Sequence, residues 1–434
     1  MSMLKSSFTT FLVLWLGELT SSIGSGLTAF GLGVYVFQMT HSATAVSLVT
    51  LCAFLPIILL APVGGVLADR FDRRLMMLIG DGGSVLGLLY ILLIMMIGHM
   101  EVWHICIGVA LSSIFASLTD PAYRATITDL LSKEQYAQAS GMVQLAGASK
   151  YLISPVLAGL FIGVIGIEGI LLLDMSTFLV TLLTIIVVRS RVAASCSTDS
   201  KTREHSNFWA ELKEGWHIVM KAKGVRCLML ILTLVTFFIG FLETLFTPLV
   251  LPLSDARTLG IVESISATGL LLGSLFIGVF SIRKQYSKVM AVGLFMSGIF
   301  FALLGMTTNV VLITIMGFFF FAALAFVNTS ADVLIRTHIP NETQGRAWGM
   351  IGLISQLGYV AAYASAGILS DAVFNPLLTE HGALATTVGA VIGTGPGRGI
   401  GLLLLLAGVM VMFTAVMLIR VRAIRELETS PALQ

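Results

Sequence analysis

The sequence predicts an all-α membrane protein of twelve transmembrane helices in two six-helix bundles, with both termini in the cytoplasm. Three observations carry this. Of 434 residues, 57% are hydrophobic and 11% charged, against roughly 25% charged in a soluble domain. Twelve apolar stretches are each long enough to cross a bilayer, which takes roughly 20 residues. Lys and Arg fall almost entirely in alternate loops, the asymmetry that keeps short positive loops in the cytoplasm. A soluble enzyme or secreted domain would need more polar surface than 25 Lys and Arg with 23 Asp and Glu supply. The net charge of +2 points to no nucleic-acid partner. The four cysteines lie far apart without metal-ligand spacing, so no disulfide framework, metal or other cofactor is expected.

In chain order the spans are centred in 8–37, 43–67, 75–98, 102–123, 137–165, 167–189, 226–253, 257–282, 288–307, 309–334, 347–371 and 399–421. The first run lacks a small-residue cleavage site and continues through Phe37, so it reads as a retained helix and not a signal. One set of loops carries Arg70, Arg73, Arg74, Lys133, Arg189, Arg191, Arg283, Lys284, Arg346 and Arg420; the other carries Arg257 and Arg398. Residues 190–225 break the apolar pattern. The expected organisation is therefore an N-terminal bundle over 1–189, a cytoplasmic linker over 190–225, a C-terminal bundle over 226–421 and a tail over 422–434. Within the linker Phe208, Leu212, Trp216 and Val219 recur at helical spacing beside Lys213, Lys221 and Lys223. That spacing suits a helix on the headgroup surface, with a solvated linker helix as the alternative.

The two halves look duplicated. At an offset of 213, Gly65, Val66, Arg70, Met77 and Gly80 fall on Gly278, Val279, Arg283, Met290 and Gly293. Asp120 and Arg124 face Asp332 and Arg336 at an offset of 212, an i,i+4 pair in the fourth helix of each half. Parallel repeats of this kind place a transporter's site at the repeat interface.

Between the second and third spans stands Gly64-Gly65-Val66-Leu67-Ala68-Asp69-Arg70-Phe71-Asp72-Arg73-Arg74. This stretch resembles motif A of the major facilitator superfamily, roughly G-x-L-a-D-r-x-g-r-r, with Asp72 at the usual glycine. Leu55-Pro56, Ala61-Pro62 and Ala116 to Ala125 (ASLTDPAYRA) are similar to the drug:proton antiporter-like branch that includes macrolide-efflux proteins and the enterobactin exporter. The resemblance implies a cytoplasmic latch built from Gly65, Asp69, Arg70, Arg73 and Arg74, with Asp120 receiving Arg73 or Arg74. It also implies that Asp120, Arg124, Asp332 and Arg336 act as a cytoplasmic gate; self-contained structural pairs are the alternative. Ser154-Pro155-Val156-Leu157-Ala158-Gly159 resembles the exporter-associated motif C, with Pro155 and Gly159 in place and Ser154 and Ala158 replacing glycines.

Charges inside spans cost on the order of 3 kcal/mol each by insertion scales, so each needs a reason. Glu18 lies about 15 Å into the first helix, near the midplane, and Lys150 sits at similar expected depth in the fifth. The two are expected to pair or to hold a substrate between them. Glu18 is also the first candidate for proton coupling, since burial and a neighbouring cation pull its protonation in opposite directions. Asp174 and Glu243 are the other coupling candidates. Glu243, amid Phe237, Phe238, Phe241 and Phe246, suits an amphipathic cation, so Phe241 joins Glu18, Lys150 and Glu243 as cavity residues. Asp81 reads as a cap or packing residue near the start of the third helix.

Gly393-Thr394-Gly395-Pro396-Gly397-Arg398-Gly399 fits no nucleotide-binding spacing, and no metalloprotease motif or paired catalytic aspartates occur, so no enzyme is expected. The leading reading is a secondary transporter of the inner (cytoplasmic) membrane that exports an amphipathic small molecule, of drug, macrolide or siderophore type, by proton antiport with alternating access. Its expected partners are the substrate, protons and the lipid bilayer, and the expected state is a monomer. A lipid or lysophospholipid translocase, or a non-transporting sensor of the same fold, is the alternative.

Overall fold

In a bilayer every backbone polar group must be bonded within its own segment, which leaves helices as the economical way for an apolar chain to cross. The computed structural model describes residues 2–193, 208–280, 282, 284–339, 343–395, 397–421 and 424, and no strand occurs among them. Its long helices are α1 (Ser2–Thr40), α2 (Ala43–Arg70), α3 (Arg73–Ile97), α4 (Val102–Leu130), α5 (Tyr136–Leu152), α6 (Ser154–Ala193), α7 (Phe208–Lys221), α8 (Lys223–Val250), α9 (Ala256–Val279), α10 (Tyr286–Met306), α11 (Val310–Arg336), α12 (Gln344–Ile368) and a last helix, Arg398–Arg420. Eleven of the described helices are long and apolar enough to span a membrane. The difference from twelve lies in α5 and α6. The helix breaks at Ile153, just before Pro155, which has no N–H to give. It then departs from helical geometry at Gly166 (φ 68°, ψ −177°), a left-handed setting that favours glycine. Gly166 stands where the sequence divides the fifth span from the sixth, so the count of twelve fits.

Local chemistry sets the helix ends. Asp72 caps α3 by accepting from the Arg74 N–H at 3.0 Å, and Gly98 closes it in the left-handed conformation, φ 82°. Asp255 caps α9 through the Thr258 N–H at 2.8 Å, and Asn309 caps α11 through the Val311 N–H at 2.9 Å. Asp72, which departs from the motif's glycine, thus has a structural task.

The chain falls into two compact units. The first comprises Met1–Met39 and Leu48–His205, the second Thr40–Ser47 and Ser206–Gln434. Lipid tails are as apolar as leucine, so helices in each unit associate by close packing more than by burial. In the first unit a Cβ on Gly87 would strike the Gly108 carbonyl, and one on Gly80 would strike Thr119, which lets α3 lie directly on α4. An apolar cluster of Phe11, Leu14, Met77, Tyr123 and Ile185 joins α1, α3, α4 and α6. In the second unit Gly298 and Gly305 of α10 oppose Gly408 and Gly401 of the last helix, backbone against backbone. Gly269 and Gly273 of α9 likewise abut Phe318 and Ala322 of α11.

Helix α7 belongs to the second unit. Gly215 lies against the Arg346 carbonyl, Glu214 pairs with Arg346, and Val219 is buried while Trp216 is half exposed. The linker residues 194–207, the side chains of Phe208 and Leu212, and the tail apart from Ile424 lie outside the described residues.

The first turn of α2 also groups with the second unit. Asp371, in a π-helical turn over Leu369–Phe374, holds it. One oxygen, Oδ2, accepts from Ser42 Oγ (2.7 Å), Thr44 N–H (2.8 Å) and Thr44 Oγ1 (2.8 Å). A carboxylate from another helix here serves as the cap for α2. Gly367, one turn earlier, has no room for a Cβ against Thr44 and Ser47.

Candidate transport site

In the first unit α1, α3 and α4 bring together Glu18, Asp81, Thr119, Asp120, Tyr123 and Arg124. Glu18 is half-buried, and the charges that act on it are, in order, those of Asp81, Asp120 and Arg124. Asp81 is 4% exposed. Thr119 Oγ1 donates to its Oδ1 at 3.0 Å, whereas its Oδ2 has no partner among the described residues. The Tyr123 hydroxyl is likewise buried and unpartnered. Arg124 Nε donates to Asp120 Oδ2 at 2.9 Å and Oδ1 at 3.0 Å. The second copy repeats this, with Arg336 Nε 2.8 Å from Asp332 Oδ2. Both i,i+4 pairs close on their own helix, as their spacing allows.

The cytoplasmic charge network differs from the expectation. Asp120 is occupied by Arg124, and Arg73 Nη1 instead meets Asp129 Oδ1 at 2.7 Å and the Ala125 carbonyl at 2.9 Å. Physically, the carbonyls at the C-terminal end of α4 attract a cation, and Asp129 adds a negative charge among them. Within motif A the glycine under steric demand is Gly64, whose Cβ would strike the Ser117 carbonyl, while Gly65 faces open space. Arg70 is exposed and Arg74 half-buried. The side chain of Asp69 lies outside the described residues.

Lys150 does not meet Glu18. Its backbone carbonyl abuts Gly26 of α1, eight residues and so about 12 Å along the helix from Glu18. Its Nζ lies 5.8 Å from the Tyr151 ring centroid, and its charge acts on Asp174. Asp174 is 2% exposed, accepts from Thr177 Oγ1 at 3.4 Å and leaves Gly24 of α1 no room for a side chain. Asp174 and Lys150 thus sit where α6 packs on α1. The motif C-like stretch lies beside them: Pro155 and Gly159 are buried, and Ser154 Oγ donates to the Ile23 carbonyl at 2.9 Å, a bond that glycine could not make.

In the second unit Glu243 of α8 is exposed and accepts from the Tyr363 hydroxyl of α12 at 2.6 Å. The Tyr359 ring lies 5.8 Å from that of Tyr363. Glu263 of α9 is half-buried and feels the charge of Glu243. Phe241 is 3% exposed, with its ring 4.7 Å from that of Phe237; it packs inward, and of the two proposed cavity residues on α8 only Glu243 is open. Tyr363 and Asp129 escaped sequence reasoning, because neither a tyrosine nor a helix-end aspartate stands out in spacing.

An exposed carboxylate twenty residues into a 31-residue span cannot face lipid without several kcal/mol of cost. Glu243 therefore needs a polar interior. Each unit thus carries carboxylates within its spans, and the second sets tyrosine rings beside one of them.

Comparison with known proteins bears on what such a bundle does. The Major Facilitator Superfamily model matches residues 14–254. Macrolide efflux protein A of Streptococcus pyogenes is 26% identical over 376 residues, 84% of this chain and 90% of that protein. The enterobactin exporter EntS of Salmonella choleraesuis is 25% identical, covering 94% of each chain. Among solved structures, a bacterial homolog of the human lysosomal transporter Spinster, inward-facing and unoccupied, superposes with a TM-score of 0.75 at 14% identity, over 98% of this chain and 99% of that one.

Proposed function

Because the chain belongs to the Major Facilitator Superfamily, as a multi-pass transporter of small molecules, we propose that it exports an amphipathic compound in exchange for protons by alternating access. The observation that carries export is the similarity, at 26% identity over 84% of the chain, to a macrolide efflux protein. Proton coupling is supported by carboxylates at membrane depth in both units, Glu18 foremost. Glu243, oriented by Tyr363 with Tyr359 next to that tyrosine, suits the cationic end of a substrate. Asp69, Arg70, Arg73 and Arg74 form the cytoplasmic latch in this reading, and the Asp120–Arg124 and Asp332–Arg336 pairs the gate. The protein works as a monomer in the cytoplasmic membrane, with both termini inside.

The test is efflux of a macrolide and of a cationic dye from proteoliposomes with an imposed pH gradient, for wild type and Glu18→Gln. Gradient-driven efflux in the wild type, lost in Glu18→Gln with binding retained, is the expected result. Efflux indifferent to the gradient would remove proton antiport.

A further inference from the structure

Near the start of α2, at the end away from motif A, the first unit has an open groove of about 520 Å³. Met39 of α1, Leu48 of α2, and Met100, Glu101, Val102 and Trp103, where α3 gives way to α4, line it. All six belong to that unit. The volume falls within the range of small-molecule sites, roughly 300–1,000 Å³. Met39, Leu48 and Trp103 are exposed, as are Met96 and Ile97 just before the turn that carries Met100. Exposed apolar side chains at the ends of spanning helices meet lipid, so an occupant of this groove comes from the bilayer.

One charge stands in the apolar wall. Glu101 is exposed, and Trp103 Nε1 donates to its Oε2 at 2.7 Å. Residues 6–69, 75–123 and 151–188 contain no lysine or arginine, so the stretches that form the groove bring neither to this carboxylate. A positive head complements it, and a negative one is repelled. The Trp103 ring also decides which cation fits. It lies against His104, with ring centroids 3.5 Å apart, while its N–H is spent on Glu101. A quaternary ammonium is held by open aromatic faces, whereas a primary ammonium brings three N–H donors to a carboxylate. This groove suits the second.

We propose that the groove binds a phospholipid with an ethanolamine headgroup, its ammonium on Glu101 beside the Trp103 indole and its apolar part along Met39, Leu48 and Met100. A half-exposed tryptophan with its N–H satisfied is what a membrane–water interface favours, the level at which such a headgroup lies. The site shares no residue with the candidate transport site and does not depend on the antiport reading.

The test uses the full chain in nanodiscs of phosphatidylcholine, phosphatidylglycerol and phosphatidylethanolamine in equal parts, with native mass spectrometry identifying the lipids that stay on the protein. Wild type should retain the ethanolamine lipid with about tenfold preference over the other two, the worth of one charge-assisted hydrogen bond. Glu101→Gln keeps an acceptor for the indole but loses the charge, and should lose the preference. Glu168→Gln, which removes an acid of α6 outside the groove, should keep it. A second measurement places the lipid and stands even where Glu101→Gln does not fold. Ethanolamine lipid with brominated chains should quench tryptophan emission more than brominated phosphatidylcholine does, and that excess should vanish in Trp103→Phe. Equal retention of the three lipids, a preference for phosphatidylglycerol, a preference that survives in Glu101→Gln, or an excess of quenching that survives in Trp103→Phe overturns the proposal.

Discussion

A single carboxylate can be tied down or left free by what stands one turn away. Asp255 shows the first case. The Thr258 side chain and N–H hold its carboxyl below the usual range, and it caps α9 at a site outside the spans. Replacing it by Ala should cost about 1 kcal/mol of stability. Because the folded form favours the charged group, that contribution is present above the ordinary carboxyl value and is lost as pH falls through the folded one. Thermal unfolding of wild type and Asp255→Ala should therefore differ at pH 6 to 8, about neutrality, and converge in acid below roughly pH 4. A difference that grows in acid would contradict the cap. At this scale the sequence was legible where partners are local. The Asp-x-x-x-Arg pairs announced themselves in both halves, since i,i+4 neighbours meet whatever the rest of the fold does. Arg73 with Asp129 and Glu243 with Tyr363 were not legible, because which groups meet across helices depends on how each helix is rotated about its axis.

At the level of elements, apolar length determines where helices lie, and the spans were readable to within a few residues. The 165/167 boundary coincides with Gly166, whereas the break at Ile153 falls inside the expected fifth span, 137–165. The clasp at the start of α2 was invisible, since Asp371 is more than 300 residues from Ser42 and Thr44. Its three donors converge on one oxygen. Asp371→Ala strands a backbone N–H and two hydroxyls, so it should cost about 1–3 kcal/mol. A lower Tm than wild type is expected, together with faster labelling of a cysteine placed at Thr44. Unchanged labelling would mean that Gly367 packing alone holds the turn. Asn at position 371 keeps an acceptor and should fall between the two.

For the whole molecule, the internal duplication shaped what could be foreseen. Both halves repeat the same pairs and glycines, yet they distribute acidic groups differently: buried Asp81 beside half-buried Glu18 in one unit, exposed Glu243 beside half-buried Glu263 in the other. One unit keeps its acid sealed and the other keeps it open.

The glycine contact between α10 and the last helix has a further consequence. Gly298 and Gly305 meet the backbone of Gly408 and Gly401, with Met412 the one side chain pressed against Gly298, so this seam has few rotamers to rearrange. It is an internal ruler. Spin labels placed on the lipid-facing sides of these two helices, at Val292 and Phe413 for example, which are 58% and 65% exposed, should report one unchanging distance with and without substrate or a pH gradient. Against that fixed length, movement anywhere else in the protein can be measured, and a distance that shifts would show the second unit flexing through its own core.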